Sequence, residues 1–122
     1  MMRKLFLILL VLCLSTPAWA DDDLKSRSFD VSSFQPTEVD FVRATVRSML
    51  EKGWEITSYE KSRLAGSYRE KHMIEIRLSG NEITIQEAED SKRIKDSWME
   101  SLQNWIIQEL TFIQYVRRAE QM

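Results

Sequence analysis

The spacing of hydrophobic and polar residues changes several times along the chain. Between residues 36 and 53 the apolar residues recur every three or four positions, which predicts an amphipathic helix. Its buried side is predicted to carry Val39, Val42, Val46, Met49 and Leu50. Thr37 and Asp40 have the spacing of a capping box, and Gly53 suits the end of the helix. Before this helix, a short alternation predicts a strand over residues 28–34.

From Trp54 onward, apolar residues alternate with polar ones, which is typical of strands that bury one face. The predicted strands cover residues 54–59, 64–68, 74–78 and 83–85. The stretch Ser79-Gly80-Asn81-Glu82 is a hairpin-turn signal between the last two. Together they predict a four-stranded antiparallel meander with one apolar face and one charged face.

A second helical pattern follows a charged connector at residues 90–96. Ser97 and Glu100 have the spacing of another capping box, and the helix is predicted to end near Arg117. Its buried stripe is predicted to consist of Met99, Leu102, Ile106, Leu110 and Ile113. Further apolar residues widen this stripe well beyond one face of the helix.

The order strand, helix, four strands, helix predicts a single α+β domain over residues 28–118. Both helices are expected to pack on the same face of the sheet. Residues 21–27 are predicted to be a flexible N-terminal segment, and residues 119–122 a short C-terminal tail. About 100 residues are enough for such a domain to enclose a hydrophobic core.

The first twenty residues have the order of a secretory signal peptide: a basic start, an apolar run and small residues before a cut. The apolar run from Leu5 to Leu14 is about half of the ~20 residues that a bilayer-spanning helix needs. Cleavage is predicted between Ala20 and Asp21. The alternative is lipid attachment at Cys13, which the bulky Leu12 before it disfavours. The sequence therefore predicts a soluble periplasmic protein without a transmembrane anchor.

Charge and cysteine content change little in this picture. The chain has 17 basic and 19 acidic residues, and removal of residues 1–20 would take away two basic ones, which gives a net charge of −4. The same cut removes the only cysteine, so no disulfide is available in an oxidising compartment. The stability of the mature chain must then come from its core.

Short sequence marks run through most of the predicted domain. They are Gly53-Trp54, Ala65, Arg69, His72, Ile74-Glu75-Ile76, Ile83-Thr84-Ile85, Asp90-Ser91, Trp98, Leu102 and Ile106. With these marks, residues 36–107 resemble a group of small exported proteins and lipoproteins of proteobacteria. Many members carry a lipid-anchored cysteine, and this chain departs from them at Leu12. The resemblance implies export and the fold, and it implies no activity, because the group has no characterised function.

Candidate catalytic residues are few. His72 is the only histidine, with Glu70 and Glu75 near it in sequence, whereas a zinc site normally has three or four such ligands. It is therefore interpreted as a hydrogen-bonded residue at a strand edge. Ser67 and Ser79 lie near His72 in sequence, but no nucleophile-elbow motif surrounds them.

Other site types are also disfavoured. The acids Glu87, Glu89 and Asp90 are interpreted as a solvated strand end, and the three glycines form no phosphate-binding loop. The basic segment 61–71 is interrupted by glutamate in an acidic protein, which disfavours nucleic acid and leaves an anionic envelope surface open. We expect no catalytic site, no metal and no cofactor.

Two binding hypotheses and one enzymatic alternative remain. The first is protein–protein binding, by self-association or to an envelope partner, through apolar residues of the last helix. The proposed interface residues are Ile106, Leu110, Phe112, Ile113, Tyr115 and Val116. The second is a small-ligand pocket between the sheet and the last helix, lined by Trp54, Tyr68, Trp98 and Trp105. A small hydrolase is the third and the least supported.

Overall fold

The computed structural model describes residues 24–121, so Cys13, Ala20 and Asp21 lie outside the described residues. The elements in chain order are β1 (Ser26–Asp30), α1 (Glu38–Glu51), β2 (Glu55–Tyr59), β3 (Arg63–Tyr68), β4 (His72–Ser79), β5 (Glu82–Glu87) and α2 (Asp96–Glu120). The strands form one sheet in the order β1-β5-β4-β3-β2, and each neighbouring pair is antiparallel. Both helices pack on this sheet, which confirms the predicted α+β domain.

The first strand begins and ends earlier than predicted. It runs from Ser26 to Asp30, so it includes two residues of the segment that was expected to be flexible. It stops because the Asp30 carboxylate accepts hydrogen bonds from both the backbone N and the hydroxyl of Ser32. Such a local bond turns the chain and competes with the sheet ladder. β1 pairs with β5 at one edge of the sheet, with Phe29 opposite Ile83.

The meander forms as predicted, with its apolar residues facing the helices. The fully buried sheet residues are Leu64, Ile74, Ile76, Ile83 and Ile85. Gly80 has a φ of +62° in the two-residue turn between β4 and β5, a conformation in which a glycine costs no steric strain. Strand β2 departs from simple alternation, because a bulge lies between Ile56 and Ser58 and leaves Ser58 exposed.

Helix α1 begins with the predicted capping box. The Thr37 hydroxyl accepts a hydrogen bond from Asp40 N at 3.1 Å, and the Asp40 carboxylate accepts one from Thr37 N at 3.0 Å. Gly53 follows the helix with a φ of +86°, which suits its predicted role at the helix end.

The buried side of α1 differs from the prediction. The side against the core carries Phe41, Ala44, Thr45, Ser48 and Met49. By contrast, Val39 is 68% exposed and Leu50 is 58% exposed, and Val42 and Val46 are only half-buried. Small residues on the buried side let α1 approach α2 closely, and the Ser48 hydroxyl donates to the Ala44 carbonyl oxygen at 2.7 Å.

Helix α2 begins without the predicted Ser97–Glu100 capping box. Its N-cap is Lys95, no side chain caps the first turn, and the helix continues to Glu120, three residues beyond the predicted end. Met99, Leu102, Ile106 and Leu110 are buried as predicted, whereas Ile113 is only partly buried. Between residues 24 and 121, no helix combines the length and the hydrophobicity needed to cross a bilayer.

Candidate binding sites

Three of the four aromatic residues predicted to line a pocket come together at one end of the sheet. The Tyr68 ring centroid lies 5.5 Å from that of Trp54 and 5.4 Å from that of Trp98. His72 joins them, with its ring 4.9 Å from Trp98 in an edge-to-face arrangement. These distances are within the range of favourable aromatic pairs. We call Trp54, Tyr68, His72 and Trp98 the aromatic cluster.

A cavity of about 390 Å³ lies beside this cluster, between the end of α1 and the first turns of α2. Its lining residues are Lys52, Trp54, Tyr68, Ser97, Trp98 and Ser101. Trp105 is not among them, because it lies one to two turns further along α2. Within the described residues no carboxylate lines this cavity, and the Arg69 guanidinium and the Lys95 ammonium lie over the rings of Tyr68 and Trp98. The cavity is therefore largely aromatic, with Lys52 in its wall and two further cations next to its aromatic residues.

The six apolar residues predicted as an interface on the last helix differ in exposure, and Ile113 is partly buried against the core. Ile106 and Leu110 are buried in the core of the single chain, so they cannot contact a partner without unfolding. Phe112, Tyr115 and Val116 are exposed by 62%, 63% and 41%. Only the C-terminal part of α2 therefore presents apolar surface.

A second apolar surface, which the sequence analysis assigned to the core, lies on α1. Val39, Val42, Val46 and Leu50 follow one another at helical spacing, and we call them the outer stripe. Val39 and Leu50 are exposed, whereas Val42 and Val46 are half-buried and also contact the core. An open hollow of about 960 Å³ covers the outer stripe and reaches Lys61 in the turn before β3. The signal for it was present in the sequence as a clear helical pattern. Of the five residues predicted to be buried on α1, Met49 is fully buried, Val42 and Val46 are half-buried, and Val39 and Leu50 are exposed.

Two arginines of α1 lie between the outer stripe and the exposed end of α2. Arg43 and Arg47 line the hollow over the outer stripe and also a smaller one of about 540 Å³ that contains Phe112 and Val116. Arg47 forms an ion pair with Glu109 at 3.3 Å. Arg43 forms no ion pair with another described residue, so its charge is available to a ligand or a partner.

The structure separates the residues considered for catalysis. His72 pairs with Tyr68 and Met73 pairs with Ser67, so the side chains of His72 and Ser67 lie on opposite faces of the sheet. Ser79 lies at the other end of β4, roughly 23 Å away at the usual rise per strand residue. Neither of these two serines therefore lies beside the histidine. Ser91 is nearer, but its hydroxyl is engaged by Met73 N and by the Lys92 carbonyl oxygen, which His72 Nδ1 also approaches.

The acids near His72 in sequence point elsewhere. Glu75 lies on the open face of the sheet, where it pairs with Arg77 and, at 2.5 Å, with Arg63. Burial alone would raise the pKa of the Glu75 carboxyl, but hydrogen bonds from these two arginines outweigh it and hold the pKa below its usual value. Glu70 is exposed in the turn before β4. His72 itself lies 3.3 Å from the carbonyl oxygen of Lys92 through Nδ1.

The acidic run after β5 is not uniformly solvated, as had been expected. Glu87 is 3% exposed, and its carboxylate accepts hydrogen bonds from Ile94 N at 2.8 Å and from Lys25 N at 3.4 Å. Glu89 and Asp90 are exposed. Glu87 therefore holds the connector before α2 in place, and it is not positioned for acid–base chemistry with the other two.

The remaining candidate groups do not form a common site in the described part of the chain. The basic residues of segment 61–71 spread over three places, with Lys61 beside α1, Arg63 on the open sheet face and Arg69 at the far end of β3. Among residues 24–121, no three His, Cys, Asp or Glu side chains lie close enough together to hold a metal ion.

Comparison with protein-family models, with curated proteins and with solved structures finds no match to this chain. The features of this chain that bear on its function are therefore the two apolar surfaces and the aromatic cavity.

Proposed function

We propose that this protein acts by binding another protein, without catalysis, through the outer stripe of α1 together with the exposed end of α2. The observation that carries the proposal is the row Val39, Val42, Val46 and Leu50 on the outward side of a surface helix. A helix that packs on a sheet normally places charged and polar residues on that side. The exposed residues Phe112 and Val116 extend the surface beyond α1.

Burial of this surface would supply substantial binding energy. Full burial of one Val, Leu or Phe side chain stabilises by about 1.5–3 kcal/mol. The half-buried Val42 and Val46 would contribute less than the more exposed Val39 and Leu50. Since association costs at least about 4 kcal/mol, several of these residues must be covered together. The surface spans both helices, which meets that requirement.

The two arginines between the apolar areas indicate the chemistry of the partner. A partner segment with apolar side chains on both flanks and a carboxylate between them would cover the outer stripe and neutralise Arg43. An amphipathic helix with acidic residues has this arrangement, and helices commonly bind in apolar grooves in this way. The pair between Arg43 and the partner's carboxylate would lie at the rim of the interface, where it would mainly govern specificity and association rate.

Self-association is less favourable on the same surface. A twofold contact centred on the outer stripe would place the middle of α1 against the same region of the other copy. Arg43, which has no ion-pair partner among the described residues, lies there, so the Arg43 side chains of the two copies would approach each other. Glu38 and Glu51 line the same hollow from the two ends of α1, further from the axis. We therefore favour a different protein as the partner, and the predicted export of the chain makes the bacterial envelope its source.

The test is capture from an envelope extract with three forms of the purified protein. We expect the wild type to retain a defined partner and Leu50→Glu to lose it, because a charge then replaces one of the most exposed apolar side chains of the surface. Ser28→Glu, which adds the same charge to an exposed position of β1, should retain the partner. Arg43→Glu should weaken binding, and the weakening should shrink at high salt.

Light scattering across a concentration series separates the two kinds of partner. A molar mass that doubles with concentration in the wild type, and does not in Leu50→Glu, would replace the foreign partner with a second copy. A wild type that is monomeric at about 100 µM, where a micromolar dimer would be fully formed, and that captures nothing would contradict the proposal.

A further inference from the structure

We propose that the cavity beside the aromatic cluster binds a small planar aromatic carboxylate. This inference concerns a surface separate from the outer stripe, so it does not depend on the proposed protein partner. It rests on the size of the cavity, on the chemistry of its lining and on the charges around it.

The size and the walls favour a ligand with one or two fused rings. A volume of about 390 Å³ is at the lower end of the usual range for small-molecule sites. Tyr68 and Trp98 supply ring surfaces that are inclined to each other by 70°, and the buried Trp54, inclined by 41° to Tyr68, forms the inner wall. A flat ring can contact one of these faces and the edge of another, which is the preferred geometry of aromatic pairs.

The charges select an anion. Lys52 lines the cavity and forms no ion pair with any other described residue. Arg69 lies 5.2 Å from the centroid of Tyr68, and Lys95 lies 5.8 Å from that of Trp98. These cations would repel a cationic ligand and attract a carboxylate.

The first turn of α2 adds to this preference. No side chain caps its N-terminus, so the positive end of the helix dipole is not neutralised by a capping group. The acidic residue of that turn, Asp96, points away toward Lys25, with which it forms an ion pair at 3.2 Å. Ser97 and Ser101 lie in the lining and provide hydroxyl donors for a carboxylate.

The same lining disfavours a neutral sugar. A sugar ring presents many hydroxyl donors, which are best accepted by carboxylate or amide oxygens. In the described residues the cavity wall contains neither, and its only side-chain oxygens are those of Ser97, Ser101 and Tyr68. An aromatic carboxylate requires donors and ring faces, and the wall supplies both.

The test uses three probes that share one ring and differ in charge: indole-3-acetate, indole-3-acetamide and tryptamine. Binding is followed by NMR through the tryptophan indole N–H signals, which are assigned by single Trp→Phe variants. We expect indole-3-acetate to shift the signals of Trp54 and Trp98 and to leave that of Trp105 unchanged. It should bind about tenfold more tightly than the amide, as one charge-assisted contact implies, and tryptamine should not bind.

Lys52→Met is the matched variant, because Lys52 is exposed and caps α1 only through its backbone. We expect it to lower the affinity for indole-3-acetate to that of the amide and to leave amide binding unchanged. Equal affinity for all three probes, no saturable shift at Trp54 and Trp98, or shifts centred on Trp105 would each overturn the proposal. So would saturable binding of N-acetylglucosamine at these signals in place of indole-3-acetate.

Discussion

Arg117 near the end of α2 holds Asp40 in the first turn of α1. Its Nη2 lies 2.7 Å from each of the two carboxylate oxygens of Asp40. In the second ion pair between the helices, Arg47, which comes later in α1, contacts Glu109, which comes earlier in α2. The helices therefore lie antiparallel. Burial alone would raise the pKa of the Asp40 carboxyl, but hydrogen bonds from Arg117 and Thr37 and the charge of Arg117 hold the pKa below its usual value.

The first prediction is that Asp40 contributes a pH-dependent part of the folding free energy. Because its pKa is lower in the folded protein, the contribution is complete above the usual value of 3.8 and is lost as the pH falls through the lowered pKa. We expect Asp40→Asn to destabilise by about 1–3 kcal/mol at neutral pH. The difference from the wild type should shrink below about pH 4.

Urea unfolding of both proteins from about pH 2 to pH 7 measures this difference. Glu38→Gln is the control, since Glu38 is an exposed acid of the same helical turn. A difference between wild type and Asp40→Asn that is constant across this range would show that the ionised carboxylate is not what stabilises the helix pair.

The second prediction concerns Gly66 in β3. A Cβ at this position would lie 2.7 Å from the carbonyl oxygen of Glu55 and would also overlap Met49 Cε. Met49 is a flexible side chain that can move, whereas the Glu55 carbonyl belongs to the sheet backbone. We expect Gly66→Ala to cost about 1–3 kcal/mol in unfolding free energy. Gly66→Ala should lower the free energy of unfolding by the same amount in a Met49→Ala background as in the wild type. A smaller loss in that background would identify Met49 as the obstacle.

The third prediction assigns a structural role to Glu87. Its buried carboxylate accepts hydrogen bonds from the backbone nitrogens of Ile94 and Lys25. Glu87→Ala should destabilise by about 1–3 kcal/mol, because two backbone donors lose their acceptor. Glu87→Gln keeps one acceptor oxygen and should cost less. Hydrogen exchange at the Ile94 amide gives a local readout, and unchanged protection in Glu87→Ala would contradict the assignment.

The sequence predicts this fold well where the determining signals are local. The alternation of the strands and the turn at Gly80 depend on neighbouring residues, and so does the capping box of Thr37 and Asp40. The start of α2 is predicted less well, because the connector before it is held by Glu87. The contacts of Glu87 with Lys25 and Ile94 join distant parts of the chain. No local pattern carries that information.

The candidate sites also depend on contacts between distant residues, which a local pattern does not carry. Ile106 and Leu110 are expected from the sequence both in the buried stripe of α2 and at its interface, and the structure buries both of them in the core. The aromatic cavity was predicted in outline, because Trp54, Tyr68 and Trp98 lie at element ends that meet in this topology. The cations around it come from the Tyr68–His72 turn and from the N-cap of α2, which periodicity cannot place.

Helix α1 contains two apolar rows at helical spacing, and only tertiary contacts decide between them. The outer stripe is the more hydrophobic row, whereas the buried row mixes Phe41 and Met49 with small and polar residues. The ion pairs of Asp40 and Arg47 with α2 orient the helix so that the second row faces the core.

The last prediction tests this orientation of α1 with one substitution on each row. Phe41 is fully buried, so Phe41→Ala should cost about 3–5 kcal/mol in unfolding free energy. Leu50 is mostly exposed, and alanine is as good a helix former as leucine, so Leu50→Ala should change stability by no more than about 0.5 kcal/mol. Urea unfolding of the single chain measures both. If Leu50→Ala were the more damaging change, the outer stripe would be part of the core and could not serve as a binding surface. If the order is as expected, Leu50 adds almost nothing to folding, and its exposed side chain is free to take part in the proposed binding surface.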